Sequence, residues 1–524
     1  MTATDTAAPT GGRTSPVTLP FTGEEYLESL RDGREIWIYG ERVKDITAHP
    51  AFRNSARSVA RLYDALHDPA QQAALTAPTD TGNGGFTHPF FKAPRSQQDL
   101  VTSREAIVGW QRLVYGFMGR TPDYKAAFLA TLGANTEFYA PYQDNARAWY
   151  TRAQERVLFM NHAFVHPPID RSKPADEVAD ICVHVEEEND NGLVVSGAKV
   201  VATASALTHQ TFIAHAGLPL KDKRWAPIFI VDMHTPGLKL LARASYELVA
   251  SATGSPFDYP LSSRLDENDS ILIFDRALIP WENVLAYDVE QANGFLQRSG
   301  FIHRAMFQSL LRLGVKLDFI SGLLMKATEA AGNKKTPRVQ ASVGEVIAWR
   351  SIIWSLADGM IQGCEPWAEG SVQVNTAAAL AMQPLAPQIY GRVKEIIEHT
   401  VGSSLIYLNS NAIDFKTPEV RGYLDQYLRG SDDYSSVDRA KTMKLLWDAL
   451  GSEFGGRHEL YERNYVGNVE DTRRAVLFGA LGSGDANRFK EFAEQCMSEY
   501  DLDGWTMPGF INPDDINLWA NRDR

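Results

Sequence analysis

The chain reads as an α+β protein, mainly helical, with an N-terminal helical domain, a middle β-barrel or sandwich domain and a C-terminal helical bundle. Three observations predict that order. Helical periodicity broken by short turns runs from Thr22 to Phe159. Past His166-Pro167-Pro168 the pattern changes to short alternating stretches, and from Gly294 the helical period returns over segments long enough for a bundle. The expected spans are a disordered tail over 1–20, then 21–159, 160–290 and 291–524, the last with its own tail.

The first 20 residues are rich in Thr, Ala, Pro and Gly and lack the apolar core of a signal peptide, so they imply no export. Helical patterns then cover Glu24 to Leu30, Asn54 to Leu66, Ser96 to Met118 and Pro122 to Tyr142, with a glycine-rich loop from Thr81 to Thr87. Gly119 stands where the third pattern should stop. Thr121, a good N-cap, and Pro122 at the first helical position start the fourth, which leaves Arg120 in a tight joint.

Strand candidates follow at Ile181 to Val185, Leu193 to Gly197, Lys199 to Ala202, Thr211 to His215, Ile228 to Met233, Leu238 to Ala242 and Ile271 to Phe274. Asn189-Asp190-Asn191-Gly192 supplies a turn between the first two. The bundle patterns are Phe301 to Ala331, Arg338 to Ile361, Ala386 to Leu408 and Val437 to Gly451. Gly332-Asn333, Gly363 to Gly370 and Gly430 to Asp433 carry the turn chemistry between them. Leu481 to Asp485 is glycine-rich but follows a helical pattern, so it reads as a loop and not as a dinucleotide fingerprint.

With 524 residues and 44% hydrophobic content the chain can bury a large core, and no stretch of about 18 uncharged apolar residues offers a membrane span. A net charge of -13 argues against a nucleic-acid partner, which needs a concentrated basic surface. Cys182, Cys364 and Cys496 lie too far apart in sequence to suggest a disulfide framework or paired metal ligands, and a reducing cytoplasm fits. No Walker loop and no nucleophile elbow occur. His162 and His166 have helical metal-pair spacing, but Pro167 and Pro168 follow and no Glu accompanies them, so no metal is expected.

The chemistry concentrates at Arg120. Its fixed charge adds to backbone N–H groups and the positive end of the helix dipole, a combination that favours an anion such as a phenolate or a peroxide. Tyr124 stands one turn into the same helix. His162, a group that ordinarily titrates near neutrality, completes a donor and acceptor set for proton movement in an oxygen-transfer reaction. On spacing alone the same residues also suit a surface ion pair and a packed tyrosine.

Four blocks, Gly119 to Tyr124, Asn161 to Arg171, Gly254 to Arg264 and Phe454 to Arg463, resemble the oxygenase component of two-component 4-hydroxyphenylacetate 3-hydroxylases in sequence, order and spacing. The likeness runs from about Phe21 to Thr506 and is closest to the actinobacterial p-coumarate and tyrosine-type hydroxylases. It implies an acyl-CoA dehydrogenase-like fold with flavin between the β domain and the bundle, and a homotetramer. It also implies a monooxygenase that receives FADH2 from a separate NAD(P)H:flavin reductase and hydroxylates a p-hydroxyphenyl compound beside its hydroxyl, giving a catechol. By the resemblance Arg120, Tyr124 and His162 surround the phenol. Thr203 and the loop Pro168, Ile169, Asp170 and Arg171 follow the flavin together with His162, as do Gly467, Asn468, Val469, Glu470 and Asp471, where Asn468-Val469-Glu470 departs from the usual acidic-Pro pattern.

At the substrate end His215 and Ala216 stand where 4-hydroxyphenylacetate-specific members carry small hydroxyl residues. His215 offers a donor and Ala216 leaves room, so p-coumarate, tyrosine or a carrier-tethered tyrosine derivative fits at least as well as phenylacetate. Two other readings stay open: an acyl-CoA dehydrogenase-like flavoenzyme with Glu395 as base, and a non-catalytic helical scaffold. The related 4-hydroxybutyryl-CoA dehydratases need an iron–sulfur cluster, and no Cys-x-x-x-Cys occurs here to hold one.

Overall fold

The structure is a computed structural model describing residues 17–509, apart from 171, 174, 179, 503 and 508. Its β region forms two sheets. The six-stranded sheet runs in the order Glu41–Arg42, Glu35–Ile38, Leu238–Ala242, Asp269–Pro280, Gly192–Thr203, His184–Asn189. The four-stranded sheet runs Val284–Tyr287, Pro227–Asp232, Gln210–Ile213, Met160–Ala163. Glu35–Ile38 pairs parallel with Leu238–Ala242, so the mainly helical N-terminal region also contributes to the larger sheet. Two registers matter for function: His162 lies opposite Phe212, and Thr203 opposite Asp269.

The expected strands at 193–197 and 199–202 are one twelve-residue strand that continues through Gly197 at φ +106, where a side chain would meet the backbone of Cys182. Ala214 and His215 fall beyond the strand in which the alternation had placed them.

Helix Gln97–Leu113 opens on a capping box between Ser96 and Asp99. It ends five residues before Met118, because Tyr115 (φ 57) and Gly116 (φ 71) turn left-handed. A Cβ on Gly116 would stand 2.7 Å from the Cβ of Lys316, so glycine lets this joint touch the long bundle helix Phe301–Ala330. The next helix starts at Pro122 as expected but stops at Leu129 instead of reaching Tyr142. A short turn Thr131–Ala134 and a 3-10 segment Thr136–Tyr139 follow. There the Glu369 carboxylate accepts the amides of Thr136 (2.7 Å) and Glu137 (3.3 Å), which competes with helix continuation, and Pro141 has no N–H to offer. All eight residues of Pro122–Leu129 are buried, Asp123 and Lys125 included.

The bundle contains Phe301–Ala330, Pro337–Gln362, Thr376–Val401, Ser436–Leu450 and Glu453–Asn464, followed by Val469–Ser483 and Asp485–Met497. Leu481 to Ser483 are helical, and only Gly484 (φ 82) makes the turn. The tail is shorter than expected: Asn83 holds the Thr18 carbonyl at 3.0 Å and Arg156 that of Leu19 at 2.9 Å, while residues 1–16 lie outside the described residues. Among the described residues no helix is long and apolar enough to cross a membrane, and no cluster of three or more His, Cys, Asp or Glu could hold a metal ion.

Candidate functional site

The joint before helix Pro122–Leu129 is built on a buried carboxylate. Glu267, 1% exposed, accepts the amide of Gly119 at 2.8 Å and that of Arg120. The anion expected at these N–H groups is therefore the protein's own, and Arg120 serves any further anion with its side chain. Arg120 Nη1 donates to the Tyr461 hydroxyl, and its guanidinium carbon lies 4.0 Å from the Tyr124 ring centroid and 5.0 Å from that of Tyr461. A Cβ on Gly119 would stand 2.5 Å from Tyr461 Cζ, so glycine is required here by close approach. Thr121 occupies the N-cap position with extended backbone, but its hydroxyl donates to Asp123 and accepts from Gln111 Nε2 at 2.7 Å.

Arg120, Tyr124 and His162 do come together. The Tyr124 and His162 rings stack at 5.9 Å and 27°, and His162 also meets Phe164 at 4.3 Å. His162 Nδ1 is buried without a partner. Burial, then Lys125 and Arg120, hold its pKa well below the ordinary histidine value, so this imidazole is neutral at pH 7 and does not titrate near neutrality as expected.

Lys125 went unnoticed in the sequence, where a lysine on a helix reads as a solvated residue. It is 1% exposed, with Nζ 3.9 Å from the Tyr124 ring centroid, 5.5 Å from that of Phe301, and no hydrogen-bond partner. Burial and the charge of Arg120 hold its pKa well below the usual lysine value. The surroundings of Tyr124 thus contain a buried amine and an imidazole nitrogen with open valences. These suit a ligand oxygen, since a buried polar group left unpaired is costly.

A second buried network ties this joint to the sheet and the bundle. Arg457, on helix Glu453–Asn464, bridges Asp269 at 2.8 Å and Glu267 at 3.6 Å, and Arg243 pairs with Asp269 at 3.0 Å. The Thr203 hydroxyl donates to Asp269 at 2.6 Å. Its proton is committed there, and the oxygen is left to accept from an N–H such as a reduced flavin carries. On the same bundle helix Glu462 receives Lys316 at 2.7 Å and Arg312 at 2.8 Å. Burial would raise the Glu462 pKa, but the two cations outweigh it and bring it to about 2. Glu267, Asp269, Arg457 and Tyr461 were also not singled out. The Phe454 to Arg463 block contained two of them without a signal for their roles.

Residues 22–286 match the model of the 4-hydroxyphenylacetate 3-hydroxylase N terminal, and residues 292–494 that of its C terminal. The chain belongs to the 4-hydroxyphenylacetate 3-hydroxylase family. It is 60% identical to a 4-nitrophenol 2-monooxygenase oxygenase component of Rhodococcus sp., over 95% of this chain and 96% of the relative. It is 58% identical, over 94% and 93%, to a Streptomyces globisporus monooxygenase named for a peptidyl-carrier-bound 3-amino-3-(3-chloro-4-hydroxyphenyl)propanoyl group. The crystal structure of a 4-hydroxyphenylacetate 3-monooxygenase oxygenase component with FAD and 4-hydroxyphenylacetate superposes with a TM-score of 0.85 at 29% identity, covering 91% of this chain and 99% of that one. The chain has the fold of these solved oxygenase components and is a flavin-dependent monooxygenase using FADH2 from a separate reductase.

The other expected family positions are distributed unevenly. Pro168 and Ile169 are exposed, with Ile169 at 63%, and Asp170 accepts from the backbone and hydroxyl of Ser172; Arg171 lies outside the described residues. Exposed Val201 and Val165 offer apolar surface on the strand carrying Thr203 and on the segment bridged to it. This open apolar surface and the acceptor at Thr203 fit a flavin ring. Gly467 to Asp471 are exposed at the start of helix Val469–Ser483, where the Asn468 side chain already accepts the amides of Glu470 and Asp471. Those amides are not free for a cofactor phosphate. His215 offers no donor to a substrate, because its Nε2 meets the Leu218 carbonyl and its Nδ1 meets His166. Glu395, the base an acyl-CoA dehydrogenase would need, is exposed and paired with Arg392 at 3.0 Å.

Proposed function

We propose that the substrate is a p-hydroxyphenyl compound, free or carrier-tethered, bound with its hydroxyl between Arg120, Tyr124 and His162. The observation that carries this reading is the pair of unpartnered buried nitrogens, His162 Nδ1 and Lys125 Nζ, beside Arg120 and Tyr124. The neutral His162 accepts the phenol proton. Arg120 stabilises the negative charge that grows on the phenol oxygen, which raises electron density at the carbon beside it. Phe164, Phe295 and Phe301, packed at 5.6 to 6.1 Å from one another, exclude water from that side. Bound reduced flavin with dioxygen supplies the electrophilic oxygen, and Thr203, Pro168 to Arg171 and Gly467 to Asp471 are proposed along that cofactor.

The three-part division at 159 and 290, a cytoplasmic location and a homotetramer belong to the same proposal. The last is supported by exposed Leu477, Phe478, Phe489, Phe492 and Met497 on the final two helices. Incubation of the chain with FAD, NADH, a generic flavin reductase and a panel of 4-hydroxyphenylacetate, p-coumarate, tyrosine, a carrier-loaded tyrosine and 4-nitrophenol tests the substrate. A p-hydroxyphenyl compound gaining one oxygen ortho to its hydroxyl is expected. Turnover of none of them overturns the substrate class.

A further inference from the structure

Outside the phenol site, three elements meet through a chain of nitrogens. Lys199, 2% exposed on strand Gly192–Thr203, has Nζ 2.9 Å from the Phe164 carbonyl, 3.0 Å from the Ala214 carbonyl and 3.3 Å from His166 Nε2. His166 Nε2 is also 3.3 Å from His215 Nδ1, and His215 Nε2 is 2.9 Å from the Leu218 carbonyl. His166 Nδ1 is buried without a partner. The segment 164–166 leads from His162 into the loop proposed along the flavin, and Ala214 to Leu218 carry Ala216, which the family resemblance puts at the substrate end.

The hydrogens on this chain can be counted. A carbonyl only accepts, so His215 Nε2 carries a proton and the Nδ1 of a neutral His215 is a bare acceptor. His166 must then donate from Nε2, which leaves its Nδ1 bare and agrees with the absence of a partner there. An Nε2–H cannot also accept from a lysine ammonium. The three contacts of Lys199 are therefore satisfied together only when it is a neutral amine, giving its two hydrogens to the carbonyls and its lone pair to the hydrogen shared with His215. If Lys199 is an ammonium it donates to His166 Nε2 instead, and two bare nitrogens face each other across the link to His215.

We propose that Lys199 is a positioning residue whose protonation state decides whether His166 bonds His215, and so whether segment 214–218 is tied to the flavin-side segment. The proposal rests on the substrate role given above to that segment. Burial pushes Lys199 down to about 7, while it pushes His215 to about 4 and His166 to about 2, so neither ring escapes the conflict as an imidazolium near neutrality. The other titratable group reaching Lys199 is Cys182, from the segment bridged to Ala198; Asp180 acts on Cys182. The link is made above pH 7 and lost below it.

Hydrogen–deuterium exchange of the 214–221 segment in the ligand-free full chain, corrected for intrinsic rates at about pH 6 and about pH 8.5, reads the link directly. Exchange about tenfold slower at the higher pH is expected from the net worth of one hydrogen bond. Lys199→Met should abolish the pH step, and His166→Leu should give fast exchange at both values. If Lys199→Met does not fold, His166→Leu carries the test alone. In His166→Leu the KM for a phenol that is turned over should rise about tenfold with a smaller change in kcat. An unchanged wild-type rate across the two pH values, or a step that persists in either variant, overturns the proposal. The exchange measurement needs neither flavin nor phenol, so a step without any hydroxylation would count against the function proposed above and not against this network.

Discussion

Gly119→Ala perturbs the site through a single methyl group. The added carbon would stand 2.5 Å from Tyr461 Cζ and 3.0 Å from Cε1, where carbon atoms at rest sit about 3.5–4.0 Å apart, so the Tyr461 ring must withdraw by roughly 1 Å. It has little room to do so, being stacked on Tyr465 at 4.8 Å and 8° and flanked by Arg312 and Arg457 at 5.2 Å each. Overpacking of this kind costs about 1–3 kcal/mol, which a chain with this core survives. The functional loss should be larger, since Arg120 Nη1 donates to the hydroxyl that moves. A displacement of about 1 Å in a positioning group is worth about 10²-fold in rate. With reductase, NADH and an accepted phenol, Gly119→Ala should fold and consume oxygen, lose about 10²-fold in kcat/KM for hydroxylation, and release hydrogen peroxide in place of catechol. Tyr461→Phe should show part of this loss, and the double variant should be less impaired than the sum of the two. Wild-type coupling in Gly119→Ala would show that the contact of Gly119 with Tyr461 does not set the position of Arg120.

Arg120→Ala should abolish hydroxylation while leaving the fold intact, with Arg120→Lys recovering only part, because an ammonium cannot keep both the Tyr461 bond and the planar contact with Tyr124; product formation by mass spectrometry reads both. Lys125→Met should raise stability to urea by about 1–3 kcal/mol, since an unpartnered buried nitrogen is replaced by an apolar chain of similar length, and should lower kcat/KM for hydroxylation. His162→Ala should divert reducing equivalents to hydrogen peroxide with a loss of ~10²- to 10⁴-fold in product, measured with peroxide and catechol assays. His88, His162, His166, His209, His215 and His458 are held neutral by burial, and unfolding lets each take up a proton below its ordinary value near 6.5. Their contribution to stability is therefore present above pH 6.5 and lost as pH falls, about 1.6 kcal/mol for each between pH 6.5 and 5, which thermal denaturation across that range should follow.

Local signals in the sequence were legible where the chain itself builds the elements that carry Arg120 and Tyr124. Ser96 marks a helix start through its capping box and Pro122 through the backbone angle that suits a first helical position, and each start falls where it was expected. Helix ends were less legible: the helical run expected to reach Tyr142 gives way to a 3-10 segment at Thr136, where Glu369, more than 200 residues later, captures the amides of Thr136 and Glu137. The partners that hold Arg120 are as distant. Glu267 and Tyr461 lie 147 and 341 residues away, and nothing in local spacing could join them. Lys125 was missed because a helical lysine ordinarily faces water, whereas every residue of this short helix is buried. His215 was placed at the substrate by alignment, but its ring nitrogens are spent on His166 and Leu218, contacts that exist only after the loop leaves its strand.

This chain transfers one oxygen atom from dioxygen to a phenol using flavin reduced elsewhere. Turnover under ¹⁸O₂ with FAD, NADH, a separate flavin reductase and an accepted p-hydroxyphenyl compound, read by mass spectrometry, tests it most directly. One ¹⁸O should appear on the ring carbon beside the hydroxyl, and no product should form when the reductase is left out. Incorporation of oxygen from water, or oxidation of NADH by the chain without a reductase, would contradict the account.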